Sequence, residues 1–238
     1  MQMRCIHCLK ISDKTKDHAL PKHWYPEDTP STVQRRTAPS CYECNNKIGK
    51  AEEWIFILLA LCTNPNQAEA QGIHAKLREK LGIGINPRLL HGEAMKNWEC
   101  KDNLRKKILQ LVSPYNPNLP HFPNLGPDPA FLMREHMTVP VPDHELRMVS
   151  EKIIRGLEYI FDKRYIEPTH EVSVYFPEAT PDVVRDVDAI LAVVPHNYGP
   201  GFVVKRRVSN SKFGGALYKI KVWGKLEIYG CIVERETM

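Results

Sequence analysis

The sequence predicts an α+β protein, and three features of its 238 residues carry that expectation. Two Cys-x-x-Cys pairs, Cys5/Cys8 and Cys41/Cys44, crowd the first fifty positions, apolar residues then recur at three- and four-residue intervals, and the stretch after Phe202 alternates apolar with polar. The length is compatible with two modest domains or one elaborated one. We expect a cysteine-pinned module at 1–62, a helical region at 63–112, a proline-rich connector at 113–142, and a C-terminal α+β domain at 143–238 with a mostly antiparallel sheet and helices.

Past Cys44, the residues Ile48, Ala51, Ile55, Leu58, Leu59 and Cys62 form one stripe of a helix that should end near Asn64-Pro65. Two more helices are expected over about 66–81 and 87–112, separated by the glycines and proline of "GIGINP". Eight of the nineteen prolines fall between Pro114 and Pro142, a density that disfavours a regular helix or sheet ladder. Asp143 can cap the following helix, whose stripe is Leu146, Val149, Ile153, Leu157 and Ile160. "HEVSVYF" puts Val172, Val174 and Phe176 on one strand face, and Thr180-Pro181-Asp182 reads as N-cap, N1 proline and acidic first turn of a helix reaching about Val194. Beyond Phe202, Tyr218, Ile220, Val222, Leu226 and Ile228 share one parity while Lys219, Lys221, Lys225 and Glu227 share the other, so one sheet face is buried and one wet.

Composition narrows the setting. No apolar run reaches the roughly 18 residues of a membrane span, and "MQMRCIHC" lacks a signal-peptide core, so the expected location is cytoplasmic, without a membrane partner. Seven cysteines, four of them in the two pairs, suit thiolates on a metal in a reducing compartment better than disulfides. Cys62, Cys100 and Cys231 have apolar neighbours and are expected as core thiols. Residues 1–50 hold nine Lys/Arg against five Asp/Glu, which is +4 of the chain's +5. That concentration favours polyanions, nucleic acid foremost, with a solvated basic face as the plain alternative. The seven basic residues between 201 and 226 read first as the solvated side of the sheet and second as a DNA-facing surface.

Four cysteines in two knuckles can supply the closed tetrahedral site of a structural Zn²⁺, which would replace the core that so short a segment lacks. The 32 residues between the knuckles exceed what a simple zinc ribbon needs. They hold Asp17-His18, and the second knuckle runs into "CNNKIGK" at a helix start. Asp17 and an oxygen of Asn45 or Asn46 are hard donors suited to Mg²⁺ or Mn²⁺, and a neighbouring neutral histidine can take a proton from attacking water. Trp24 and Tyr25 should pack the module, His7 should cap its own knuckle turn, and His23 should touch phosphate or solvent.

The run C-x-x-C, "DHALPK", C-x-x-C-N-N-K and a following glycine resembles the zinc-stabilised HNH endonucleases, over about residues 1–60. The resemblance implies a ββα-metal fold, treble-clef-like, with Cys5, Cys8, Cys41 and Cys44 on structural zinc. It further implies His18 as general base and Asp17 with Asn45 on a catalytic divalent ion. The pattern's middle asparagine has no counterpart, since Arg35, Arg36 or Thr37 stands there. The rest of the chain is similar to uncharacterised bacterial HNH-type proteins. The implied activity is DNA phosphodiester hydrolysis, with Arg35, Arg36, Lys47 and Lys50 on the backbone phosphates. Two strand cuts from one-metal sites would imply a homodimer, and the C-terminal domain would be left for a regulatory partner or ligand. The competing expectation is a non-catalytic zinc module that binds nucleic acid or protein, with a C-terminal sensor domain.

Overall fold

Strands of three or four residues are all that the first forty positions can sustain between their turns, and each is fixed by the knuckle or helix beside it. The structure, a computed structural model, describes residues 2–13, 15–64, 66–114, 121–122, 137–140, 142–177, 181–209 and 215–235. Strands β1 (Gln2–Arg4) and β2 (Ile11–Asp13) pair antiparallel across the first knuckle. Strand β3 (Thr15–His18) pairs with β4 (Thr37–Ser40), Thr15 opposite Ser40 and His18 opposite Thr37, and β4 passes through Cys41 into α1 (Tyr42–Leu61). The one-sided stripe expected of α1 holds only in its first half. From Ile55 to Leu61 every residue is buried, because this half runs among α2, α4 and the insert that carries Trp24.

The middle region has shorter helices than its apolar pattern suggests. Helix α2 (Ile73–Leu81) starts only after Gly72, and α3 (Glu93–Leu111) only after Gly92, both glycines at positive φ. The preceding residues form single 3₁₀ turns, Ala68–Ala70 and Pro87–Leu89. Helix α3 buries only Ile108, so Cys100 on its outer side is exposed and is not a core thiol. Cys62 is buried as expected, and Cys231 is half-buried. In the connector, β5 (Ser113–Pro114) and β6 (His121–Phe122) each pair over two residues with β7 (Met137–Pro140), a minimal ladder where none was expected. The remaining connector residues lie outside those described.

Helix α4 (Asp143–Asp162) has Pro142 rather than Asp143 at its cap, with Asp143 in the first turn bonded to Arg147. Strand β8 (His170–Tyr175), helix α5 (Pro181–Ile190) and strands β9 (His196–Asn197), β10 (Phe202–Val208), β11 (Ala216–Val222) and β12 (Leu226–Glu234) complete the chain. Helix α5 stops short of Val194, and Thr180 lies outside the described residues. The sheet order is β8-β12-β11-β10-β9, every pairing antiparallel, and α4 packs against β8 and β12. Its basic residues are not a simple wet stripe. Arg206 is nearly buried against Glu158, itself fully buried on α4, and Lys219 is held by Asp188 and Glu227.

The N-terminal module and the sheet share one apolar cluster, from Leu20 and Trp24 through α1 to Phe202 and Ile228. Its joint is Trp223, at positive φ in the β11–β12 turn: the indole N–H donates to the Trp24 carbonyl at 2.7 Å, and its ring meets Trp24 and Phe56 at 6.0 and 5.6 Å. Trp24 and Tyr25 thus pack as expected. Among the described residues, no helix is long and apolar enough to cross a membrane.

Candidate metal centre and hairpin site

The two knuckles converge because each is fixed by backbone bonds before any metal is considered. The Cys5 N–H donates to the Lys10 carbonyl at 2.9 Å, Leu9 adopts φ 63° to close the first turn, and the Ile6 N–H donates to the Pro39 carbonyl at 3.0 Å, pinning that turn to β4. The Cys41 sulfur accepts from the Cys44 N–H at 3.4 Å and so serves as N-cap of α1, where the helix dipole favours a thiolate. The sulfurs of Cys5, Cys8, Cys41 and Cys44 all lie within 4.8 Å of one another. Cys8 and Cys41 Sγ are 3.8 Å apart, and a tetrahedron with Zn–S bonds of about 2.3 Å has an edge of about 3.8 Å. The four cysteines are therefore positioned to bind a metal ion such as zinc. Burial raises the Cys5 thiol, but the N–H groups of Cys8, Cys41 and His7 outweigh it and bring the value down to about 7. Burial, then the neighbouring sulfurs, push the Cys44 thiol up. Four sulfurs this close need a cation to be thiolates together.

Strand parity then sorts the hairpin residues. Thr15 and Asp17 face α1, whose Asn45 and Glu52 stand two turns apart on the facing side; the Asn45 amide is 3.5 Å from Thr15 Oγ1. Asp17 is buried, with both oxygens engaged: Oδ2 accepts from His7 Nε2–H at 3.2 Å, and Oδ1 pairs with Lys152 Nζ at 3.1 Å. His7 thus caps its own turn by its N–H, which donates to Cys5 Sγ at 3.4 Å, while its ring ties the first knuckle to β3. Lys152, from α4, is 1% exposed and also lies 2.7 Å from Glu52 Oε1, a charge contact rather than an aligned hydrogen bond. Its third contact is a hydrogen bond to the His18 carbonyl. Burial pushes Asp17 upward, but the bond from His7 and the charge of Lys152 outweigh it and hold the carboxyl below its ordinary value. For Glu52 burial wins over Lys152, and its value is raised.

His18 ends β3, half-buried, with Nδ1 3.2 Å from the Arg35 carbonyl. A carbonyl can only accept, so Nδ1 carries the hydrogen and Nε2 keeps its lone pair. Among the described residues, no protein group bonds Nε2. Burial lowers the His18 pKa, the Arg35 carbonyl partly opposes this, and the Lys152 charge lowers it further, so the ring is neutral near pH 7.

The remaining predicted positions are scattered around this hairpin. Asn46, Lys47 and Lys50 are exposed on the first turns of α1, Asn46 and Lys50 lining a shallow hollow with Asn45. Arg35 stacks over the Tyr25 ring at 5.2 Å, and Arg36 is exposed. The hairpin brings Asp17 and Asn45 onto facing surfaces but seats Asn45 beside Thr15, at the strand end opposite His18. Sequence reasoning missed Glu52, Lys152 and the partner of His7. Glu52 follows Asn45 by two helical turns, and Lys152 is a charge set within the α4 core stripe beside Val149 and Ile153; both patterns were readable. Compared with models of known protein families, with curated proteins and with solved structures, the chain has no match.

Proposed function

We propose that the chain is a metal-dependent HNH-type endonuclease hydrolysing DNA phosphodiester bonds, with His18 as general base. The observation that carries this reading is the His18 ring: held through Nδ1 by the Arg35 carbonyl, neutral, and with Nε2 unengaged at the end of a hairpin that leads through a cysteine knuckle into α1. The order hairpin then helix is the one a ββα-metal module requires, and the Arg35 carbonyl holds His18 Nδ1 in the stretch where the pattern's middle asparagine has no counterpart. Asp17 and Asn45 carry hard oxygens of the kind that suits Mg²⁺ or Mn²⁺, but to hold an ion that neutralises charge at the phosphate Asp17 would have to exchange His7 or Lys152 for it, and Asn45 would have to reach it from beside Thr15. His18 Nε2 would take a proton from water as its oxygen bonds to phosphorus and the P–O3′ bond breaks; the departing 3′ oxygen takes a proton from a second water, leaving 5′-phosphate and 3′-hydroxyl ends. Arg35, Arg36, Lys47 and Lys50 would hold the strand by its phosphates without reading bases.

A second reading is a zinc module that binds without cutting, and one observation favours it: the Asp17 carboxylate is already neutralised by Lys152 and bonded by His7. Plasmid cleavage separates the two. The proposal predicts nicking with Mg²⁺ or Mn²⁺, none in EDTA, and loss of activity in His18→Ala at unchanged zinc content and melting temperature. Equal cutting by His18→Ala removes the assigned base, and no cutting by wild type leaves the binding module.

A further inference from the structure

We infer that Lys152, in the C-terminal part of the chain, is a positioning residue for His18, so that the hairpin site is completed by a helix 134 residues away in sequence. Three acceptors converge on one ammonium: Asp17 Oδ1, Glu52 Oε1 and the His18 carbonyl. The His18 carbonyl takes a hydrogen bond from it, and the two carboxylate oxygens are held by its charge. One turn further along α4, Gly156 touches the next residue of the hairpin. A Cβ there would stand 2.8 Å from Ala19 Cα, so only glycine lets the helix approach this closely. Helix α4 therefore grips three consecutive residues, Asp17 by its carboxylate, His18 by its carbonyl and Ala19 by its Cα.

The position is an expensive one for a lysine. Lys152 is fully buried on the face of α4 that packs on the hairpin and α1, where an apolar side chain of the same volume often gives equal or better stability than a buried ion cluster. What an apolar residue cannot do is bond the backbone at the reacting histidine. Fixing that carbonyl sets where the imidazole begins, and the Arg35 carbonyl then sets its rotation.

The catalytic side of this inference rests on the nuclease reading, so its test has one arm that measures cleavage and one that does not. Lys152→Met alone strands two carboxylates, so it is paired with Lys152→Met/Glu52→Gln, which leaves Asp17 its bond from His7. In the double variant, at unchanged zinc content, kcat for plasmid nicking should fall about 100-fold, the scale of an ~1 Å misplacement. KM for DNA should stay within about twofold, since no binding group is removed. In Lys152→Ala, propylammonium should restore part of the lost kcat. Independently of activity, hydrogen exchange at the Ala19 amide, which bonds the Arg36 carbonyl at 3.2 Å to close the hairpin end, should accelerate while Ile228 in the sheet keeps its protection. Wild-type kcat together with wild-type protection of Ala19 in the double variant overturns the inference. Equal loss of protection at Ala19 and Ile228 also overturns it, because Lys152 would then be only packing. If wild-type protein cuts no DNA, the nuclease reading alone fails, and selective exchange at Ala19 still decides the role of Lys152.

Discussion

The N-terminal module and the C-terminal sheet organise similar lengths of chain by different means. The first has strands of three or four residues, four converging sulfurs and a buried cluster of His7, Asp17 and Glu52 around Lys152 of α4. The second has strands of up to nine residues, continuous antiparallel registers and an apolar face under α4. In the module, removing one atom type should undo the structure; in the sheet, the load is spread over many side chains. Chemistry gathers where polar ligands are dense and pre-positioned, and the sheet serves that site through α4 and Trp223.

The difference can be broken hardest at the sulfurs. Structural zinc sites of this kind contribute on the order of 10 kcal/mol to the fold that holds them. Chelation, or Cys41→Ser, should therefore erase exchange protection in β3 and β4 while β11 and β12 retain theirs; metal analysis should give one zinc per chain beforehand. Uniform loss across both regions would show that they do not differ in this way. The joint comes next. Trp223→Ala removes a fully buried ring and its bond to the Trp24 carbonyl, and should cost about 4 kcal/mol in urea unfolding.

Beneath the sheet, Glu158→Gln on α4 should cost about 3 kcal/mol, because Arg206, Arg164 and the buried Tyr218 lose their charged partner although Asp162 still pairs with Arg206. The smallest effect is a pH effect in the module. Burial first, then the charge of Lys80, bring His23 down to about 4, and its Nε2 is buried without a partner. The unfolded chain takes up this proton below about 6.5 and the folded chain only below about 4, so the contribution is fully present above pH 6.5 and is lost as pH falls towards 4. It should amount to just under about 3 kcal/mol between pH 7 and pH 4, measurable by urea titration and absent in His23→Phe.

The same contrast explains what was legible beforehand. Parity alone gave the buried face of β11, and C-x-x-C spacing alone gave the four converging sulfurs, because each is a local pattern with one physical solution. The helices of the middle region began late because Gly72 and Gly92 take positive φ, which periodicity does not register. The ion cluster needed more than local pattern: Glu52 and Lys152 are each noticeable alone, but His7, Asp17, Glu52 and Lys152 come from four elements, and only the packing of α4 on the hairpin joins them. His23 turned inward against Phe56 instead of outward because Trp24, its neighbour, is anchored to the Glu52 carbonyl.

The central claim is that the hairpin presents a neutral His18 with its Nε2 lone pair available to water. The pH dependence of Mg²⁺-supported plasmid nicking under single-turnover conditions tests it most directly. The rate should climb with pH through an apparent pKa below 6.5, the ordinary imidazole value, level off by neutrality, and lose this limb in His18→Ala. A rate with the same limb and the same plateau in His18→Ala would contradict it.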